Sequence, residues 1–156
     1  MKKPASLRAA IVARNPELVQ NPDRLKIYVR GGNVAVRYGD ALGYQYNYDL
    51  LIEVRDFGGA ADNIIMPVTL WLKSHQPDLL LNHQTADQAI GLEVDILDAQ
   101  TVDIDLTLRL TESVDVLSDG EGYQVRYRPE PPIAGTAGFD GAGAPAPLTE
   151  WDILNG

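Results

Sequence analysis

A strict two-residue alternation from 44 to 55 constrains this chain more than any other feature. Tyr44, Tyr46, Tyr48, Leu50, Ile52 and Val54 fall on one side, and Gln45, Asn47, Asp49, Glu53 and Arg55 on the other. Extended backbone sends successive side chains to opposite faces, so the pattern predicts a long strand with one half-buried face. The same period returns twice. Leu92, Val94 and Ile96 alternate with Glu93, Asp95 and Leu97, and Val102, Ile104, Leu106, Leu108 and Leu110 alternate with Asp103, Asp105, Thr107 and Arg109. Only Asp98-Ala99-Gln100-Thr101 separates these two runs, which predicts an antiparallel hairpin. Residues 123–128 offer another strand after the turn signal Ser118-Asp119-Gly120. Residues 25–30 and 34–38 flank Gly31-Gly32-Asn33, and that spacing predicts a second hairpin turning at the glycines.

Two segments carry helical spacing instead. Leu7, Ala10, Ile11 and Arg14 recur at i, i+3, i+4 and i+7 after Pro4, and Asn15-Pro16 stops the element. Residues 16–20 leave room for one turn before Asn21-Pro22. A longer helix is expected from about Asp62, which or a neighbour of which caps it, to Gln76, with Ile65, Leu72 and the apolar residues between them inward. Pro67 either belongs to its first turns or kinks it at Asn63. The fold class is therefore α+β: a mainly antiparallel sheet with two helices packed on it. The expected domain is 1–130. Residues 131–156 form a Gly/Ala/Pro-rich tail, flexible in isolation, that ends in a short apolar peptide, Leu148 to Leu154. That tail reads as a tether with a docking peptide or as a frayed terminus.

Composition excludes several chemistries. Among 156 residues there is no cysteine, so disulfides, thiolate zinc, iron-sulfur clusters and a cysteine nucleophile are absent. The formal charge of -9 argues against a nucleic-acid binder. No secretory leader is visible, and the apolar run from 64 to 72 is about half the roughly 20 residues a membrane span needs. The charge is unevenly spread. Residues 1–37 hold eight basic side chains (Lys2, Lys3, Arg8, Arg14, Arg24, Lys26, Arg30, Arg37) against Glu17 and Asp23, a local +6 that leaves -15 for the rest. Such polarity favours head-to-tail contact between copies, unless folding interleaves the two regions.

No residue pattern points to a catalytic centre. His75 and His83 lie across a helix stop without the i, i+4 spacing of a helical metal pair, and read as surface or capping residues. Asp103 with Asp105, and Glu93 with Asp95, share strand faces and could converge on a hard cation, or form the solvated face of a sheet. Gly31-Gly32 and Gly58-Gly59 lack the spacing and lysine of a phosphate loop, which leaves them turn duty. Ser74 beside His75 is adjacency without a third partner. The tyrosine row at Tyr44 and Tyr46 reads as core edge or as interface. No cofactor is implied.

Four blocks carry a family resemblance. Lys3-Pro4-Ala5-Ser6-Leu7-Arg8, Asn21-Pro22-Asp23-Arg24-Leu25-Lys26-Ile27-Tyr28-Val29, Arg55-Asp56-Phe57 and Pro67 to Leu79 (PVTLWLKSHQPDL) resemble, in order and spacing, tail completion protein R of temperate contractile-tailed bacteriophages. Asp103-Ile104-Asp105 and Leu110-Thr111-Glu112 continue the match to about 115; from 131 onward only a proline-rich end is shared. The resemblance implies a tail terminator, a non-enzymatic α+β protein assembling as a ring, expected to be a hexamer, on the finished tail tube. Its implied partners are copies of itself, tube and sheath proteins and the head-tail connector, with DNA at most passing through the ring and no membrane. Its implied location is the bacterial host cytoplasm during assembly, then the tail of a virion or of a phage-tail-like bacteriocin. The expected contact residues are Arg8, Arg24, Lys26, Arg30 and Arg37, the acidic Asp95, Asp103 and Asp105, Tyr44 and Tyr46, and Trp151 and Leu154 of the terminal peptide. The competing class is a carboxylate metal site using Glu93, Asp95, Asp103 and Asp105.

Overall fold

A computed structural model describes residues 1–36 and 42–131, and among these five strands form one antiparallel sheet. In chain order the elements are α1 (Lys3–Val12), α2 (Pro16–Gln20), a 3-10 turn (Pro22–Arg24), β1 (Leu25–Val36), β2 (Gly43–Phe57), α3 (Asp62–His75), α4 (Asp78–Leu81), α5 (His83–Ala86), β3 (Ile90–Ile96), β4 (Val102–Ser118) and β5 (Tyr123–Tyr127). The sheet order is β1-β2-β4-β3, and β5 pairs with β4 past the end of β3. No helix among the described residues is long and apolar enough to cross a membrane.

The alternation sorts the two faces as the sequence predicts. Tyr48, Leu50, Ile52 and Val54 of β2 and Ile104, Leu106, Leu108 and Leu110 of β4 are buried on one face, under Leu7 and Ile11 of α1 and Ile64, Val68, Trp71 and Leu72 of α3. Burying a side chain of this size stabilises by about 1.5–3 kcal/mol, so this seam between sheet and helices dominates the fold. The 92–97 and 102–110 runs do form a hairpin, with Ile96 opposite Val102.

Pro67 lies inside α3, and its consequence is local. Proline has no N–H to give the carbonyl of Asn63, four residues earlier. Asn15, buried at the end of α1, supplies a substitute: its Nδ2 donates to the Asn63 carbonyl at 3.0 Å and to the Ile11 carbonyl at 2.8 Å. One side chain therefore satisfies the helix defect and joins α1 to α3.

Three readings of the sequence need correction. Gly31 and Gly32 do not turn the chain: β1 runs through them to Val36, with a bulge between Val29 and Gly31. Glycine is required there for another reason, because a Cβ on Gly32 would sit 2.3 Å from the Asn47 carbonyl oxygen. The expected strand at 34–38 is thus the second half of β1, and its last two residues lie outside the described ones. The strand ending at Leu110 continues to Ser118. Finally, α3 carries no side-chain cap, since Ala61 holds the N-cap position, and Ile65 is only half-buried.

Candidate functional site

The face of the sheet away from the helices is charged, and at its centre one guanidinium is shared by three carboxylates. Arg55 makes two bonds to Asp105, Nη1 to Oδ1 at 2.6 Å and Nη2 to Oδ2 at 3.2 Å, and also lies near Glu53 and Asp103. Asp103 accepts the backbone N–H of Asp56, whose φ of 49° marks the bulge that ends β2. The hydrogen bond that Arg55 donates to Asp105, and to a smaller degree the field of these carboxylates, raise the pKa of Arg55 further. The paired carboxylates thus surround a guanidinium, and among the described residues no three His, Asp or Glu side chains are grouped to hold a metal ion.

At the edges of this face the charges are left without partners. Lys26 and Arg30 of β1 are exposed, as are Glu93 and Asp95 of β3, and none of the four is in an ion pair or side-chain hydrogen bond among the described residues. Folding brings Lys3 of the basic segment to Glu130, while Arg24 bonds Glu17 within the segment at 2.7 Å. β1, from the basic part of the sequence, and β3, which carries Glu93 and Asp95, are nonetheless the two outer strands of the path β1-β2-β4-β3.

The helix-side face is also uneven. Past Tyr48 and Leu110 the helices stop and the strands go on, leaving Val34, Val36, Tyr123 and Val125 exposed, at 52%, 72%, 71% and 55%. Tyr44 and Tyr46 of β2 lie in this open part, half-buried, with rings edge to face at 5.3 Å. Beside them Met1, Val29, Gly32, Val34, Tyr46 and Tyr48 line a groove of about 350 Å³. Aromatic and apolar side chains left half-open on one face are the usual makeup of a protein contact.

Glu112 marks the boundary between the covered and open parts. It is buried on the helix side, where Oε1 accepts the Tyr48 hydroxyl and Oε2 accepts the backbone N–H of Lys2, both at 2.6 Å. A carboxylate at that amide sits at the N-terminus of α1, where negative charge is favoured. Burial first, and the hydrogen bond to Glu112 second, push the Tyr48 hydroxyl far above the ordinary tyrosine range. Close by, the Met1 ammonium donates to the Tyr127 hydroxyl at 2.6 Å. Gln76 closes the gap between β3 and β5: its Oε1 accepts the Thr111 backbone N–H at 3.0 Å and the Lys3 Nζ at 2.7 Å. Reading the sequence for motifs missed Glu112, Gln76 and Asn15. One signal was legible, a glutamate at the inward position of an apolar series that runs Leu106, Leu108, Leu110, Glu112, Val114.

The remaining expected contact residues scatter. Arg8 is tied to backbone, donating to the carbonyls of Leu25 at 2.9 Å and Pro22 at 3.1 Å. His75 stacks on Trp71 with ring centroids 4.5 Å apart, and Ser74 lies 2.8 Å from its Nδ1. Arg37, Trp151 and Leu154 lie outside the described residues, and so does the side chain of His83.

The family model described as P2 phage tail completion protein R matches residues 1–131. The chain belongs to that family. Tail completion protein R of Escherichia phage P2 is 34% identical over 132 residues, which is 85% of this chain and 85% of the relative. No solved structure matches. The family match runs from the first residue through β5 to the end of the described chain, so the buried core, the Glu112 junction and both sheet edges all fall within it.

Proposed function

We propose that this protein completes phage tails: it caps the finished tail tube, ends its polymerisation and offers the surface to which the head joins. The observation that carries this reading is the family match over residues 1–131, together with the P2 relative of the same description. The surface chemistry of the sheet agrees with it. Among the described residues the surface offers an open aromatic face and two charged edges without ion pairs, which suit contacts between proteins. In this reading copies assemble as a ring, expected to be a hexamer, with tube and sheath on one side and connector proteins on the other. Heterologous contacts generate such a ring when their rotation closes. DNA passes through without a base-reading contact. Assembly takes place in the host cytoplasm, and the protein ends in the tail of a virion or of a phage-tail-like bacteriocin.

The domain is 1–130, and residues 131–156 are a tether whose apolar end docks on a neighbouring protein. The test is electron microscopy of tubes assembled with and without the purified full chain. The expected result is density at one end of each tube and a narrowed length distribution. Tubes that keep growing and stay bare with the protein in excess would overturn the proposal. A chain ending at residue 131 should fold normally and cap tubes more weakly, and unchanged capping would remove the tether from the proposal.

A further inference from the structure

The two edges of the sheet match each other in charge, in apolar pattern and in height along the strands. Pairing across the sheet puts Lys26, Glu53, Asp105 and Glu93 in one transverse row, and Ile27, Ile52, Leu106 and Leu92 in the next. Lys26 and Glu93 therefore stand at opposite ends of the same row, on the face away from the helices. Ile27 and Leu92 do the same on the helix side, where Leu92 is 56% exposed. Strand directions alternate along β1-β2-β4-β3, so a next copy set beside β3 in the same orientation presents β1 antiparallel to it. No axial stagger is needed to bring the rows together. Lys26 then faces Glu93, Tyr28 faces Gly91, Ile27 faces Leu92 and Val29 faces Ile90. The free stretch of β1 starts at Lys26, because Arg8 already occupies the Leu25 carbonyl.

We propose that β1 of one copy adds to β3 of the next, from Lys26–Val29 against Ile90–Glu93, so that the ring is joined by a continuous antiparallel sheet. This deepens the ring reading above by naming its contact. Exposed strand edges are normally protected against such pairing by charge of one sign. Here Lys26 and Arg30 lie on one edge and Glu93 and Asp95 on the other, without ion pairs among the described residues, so the same charges that block like edges attract unlike ones. Backbone hydrogen bonds hold the contact and the opposite charges select its partner.

The absence of cysteine makes a direct test clean. A full chain carrying Lys26→Cys and Glu93→Cys should oxidise on tubes into a ladder of covalent multimers that ends at the closed ring. Ile27→Cys with Glu93→Cys, which puts the thiols on opposite faces, should not. In parallel, Lys26→Glu with Arg30→Glu, and Glu93→Lys with Asp95→Lys, should each weaken self-association about tenfold or more, as reversed charge pairs do at interfaces. Mixing the two variants, or joining all four changes in one chain, should restore it, which a folding defect could not do. Rings that form without the ladder and ignore the reversals would overturn the strand contact and leave the ring standing. A protein that neither associates nor binds tubes would overturn both.

Discussion

The covered and open parts of the sheet are built from the same strands, yet they differ in nearly every physical respect. Under α1 and α3, β2 and β4 present Leu50, Ile52, Leu106 and Leu108, all fully buried. From the Glu112 row onward the same strands present Tyr44, Tyr46 and Val116, half-covered, with only Val114 still buried, and the exposed Val36 and Val125 flank them. The cause is a mismatch of lengths. The 17 residues of β4 extend about 56 Å at roughly 3.3 Å each, whereas the 14 residues of α3 extend about 21 Å at 1.5 Å each. Helices of this size cannot cover strands of that size. Stability is concentrated where they overlap, and surface free for a partner is left where they do not.

The largest expected effect tests that division directly. Leu108→Ala should destabilise the protein by about 3 kcal/mol, as large-to-small changes in a packed core do. Val125→Ala in the open part should stay within about 0.5 kcal/mol. Urea unfolding of both variants measures the contrast, and equal losses would break it.

The boundary comes next. Glu112→Ala leaves the Tyr48 hydroxyl and the Lys2 amide without their acceptor, which should cost about 1–3 kcal/mol. Adding Tyr48→Phe should then cost little more, because its partner is already gone. A double-mutant cycle on urea midpoints checks this, and additive losses would mean that the junction does not act as a unit. For the open part the prediction turns from stability to assembly. Tyr44→Ser with Tyr46→Ser should lower capping of tubes at least tenfold, by loss of aromatic contact area, while shifting the unfolding midpoint less than Leu108→Ala does. Thermal melts and tube binding on one preparation separate the two quantities.

The smallest effect concerns two turns of the same design at opposite ends of β4. Asp98 accepts the amides of Gln100 and Thr101, and Asp119 those of Glu121 and Gly122, and these bonds hold both carboxyls below the ordinary aspartate range. A depressed carboxyl stabilises fully above its unfolded value, near pH 4, and loses that contribution as pH falls through the lower folded value. Asp98→Asn and Asp119→Asn should each differ slightly from the parent chain at pH 7 and converge with it near pH 2. Urea midpoints across that range check the sign, and a difference that grows in acid would contradict it.

Much of this arrangement was legible in the residues, and the failures have physical causes. Period-two alternation identified β2, β3 and most of β4, because a strand's faces are fixed by its own backbone. The same rule stopped β4 at Leu110, since Glu112 reads as the end of an apolar series until Tyr48 and the Lys2 amide are known to surround it. Gly31 and Gly32 read as a turn because bulges and turns both need glycine. Only the long partner strand β2, with the Asn47 carbonyl against Gly32, distinguishes the two. Asn15 looked like a helix stop beside Pro16, and only the packing of α1 on α3 gives its side chain the carbonyl freed by Pro67.

By itself, the sequence determined the class of fold, the inward residues of the long strands, the absence of thiol chemistry and, through four ordered blocks, the family. Those properties depend on local backbone geometry and on side-chain identity. The tertiary structure decided which charges remain unpaired. Arg55 draws Asp103 and Asp105 into the centre of the sheet, while strand order carries Lys26 and Glu93 to opposite edges of one row. A charge total cannot hold that information, because Coulomb attraction depends on separation, and separation across a sheet is set by pairing between segments remote in sequence.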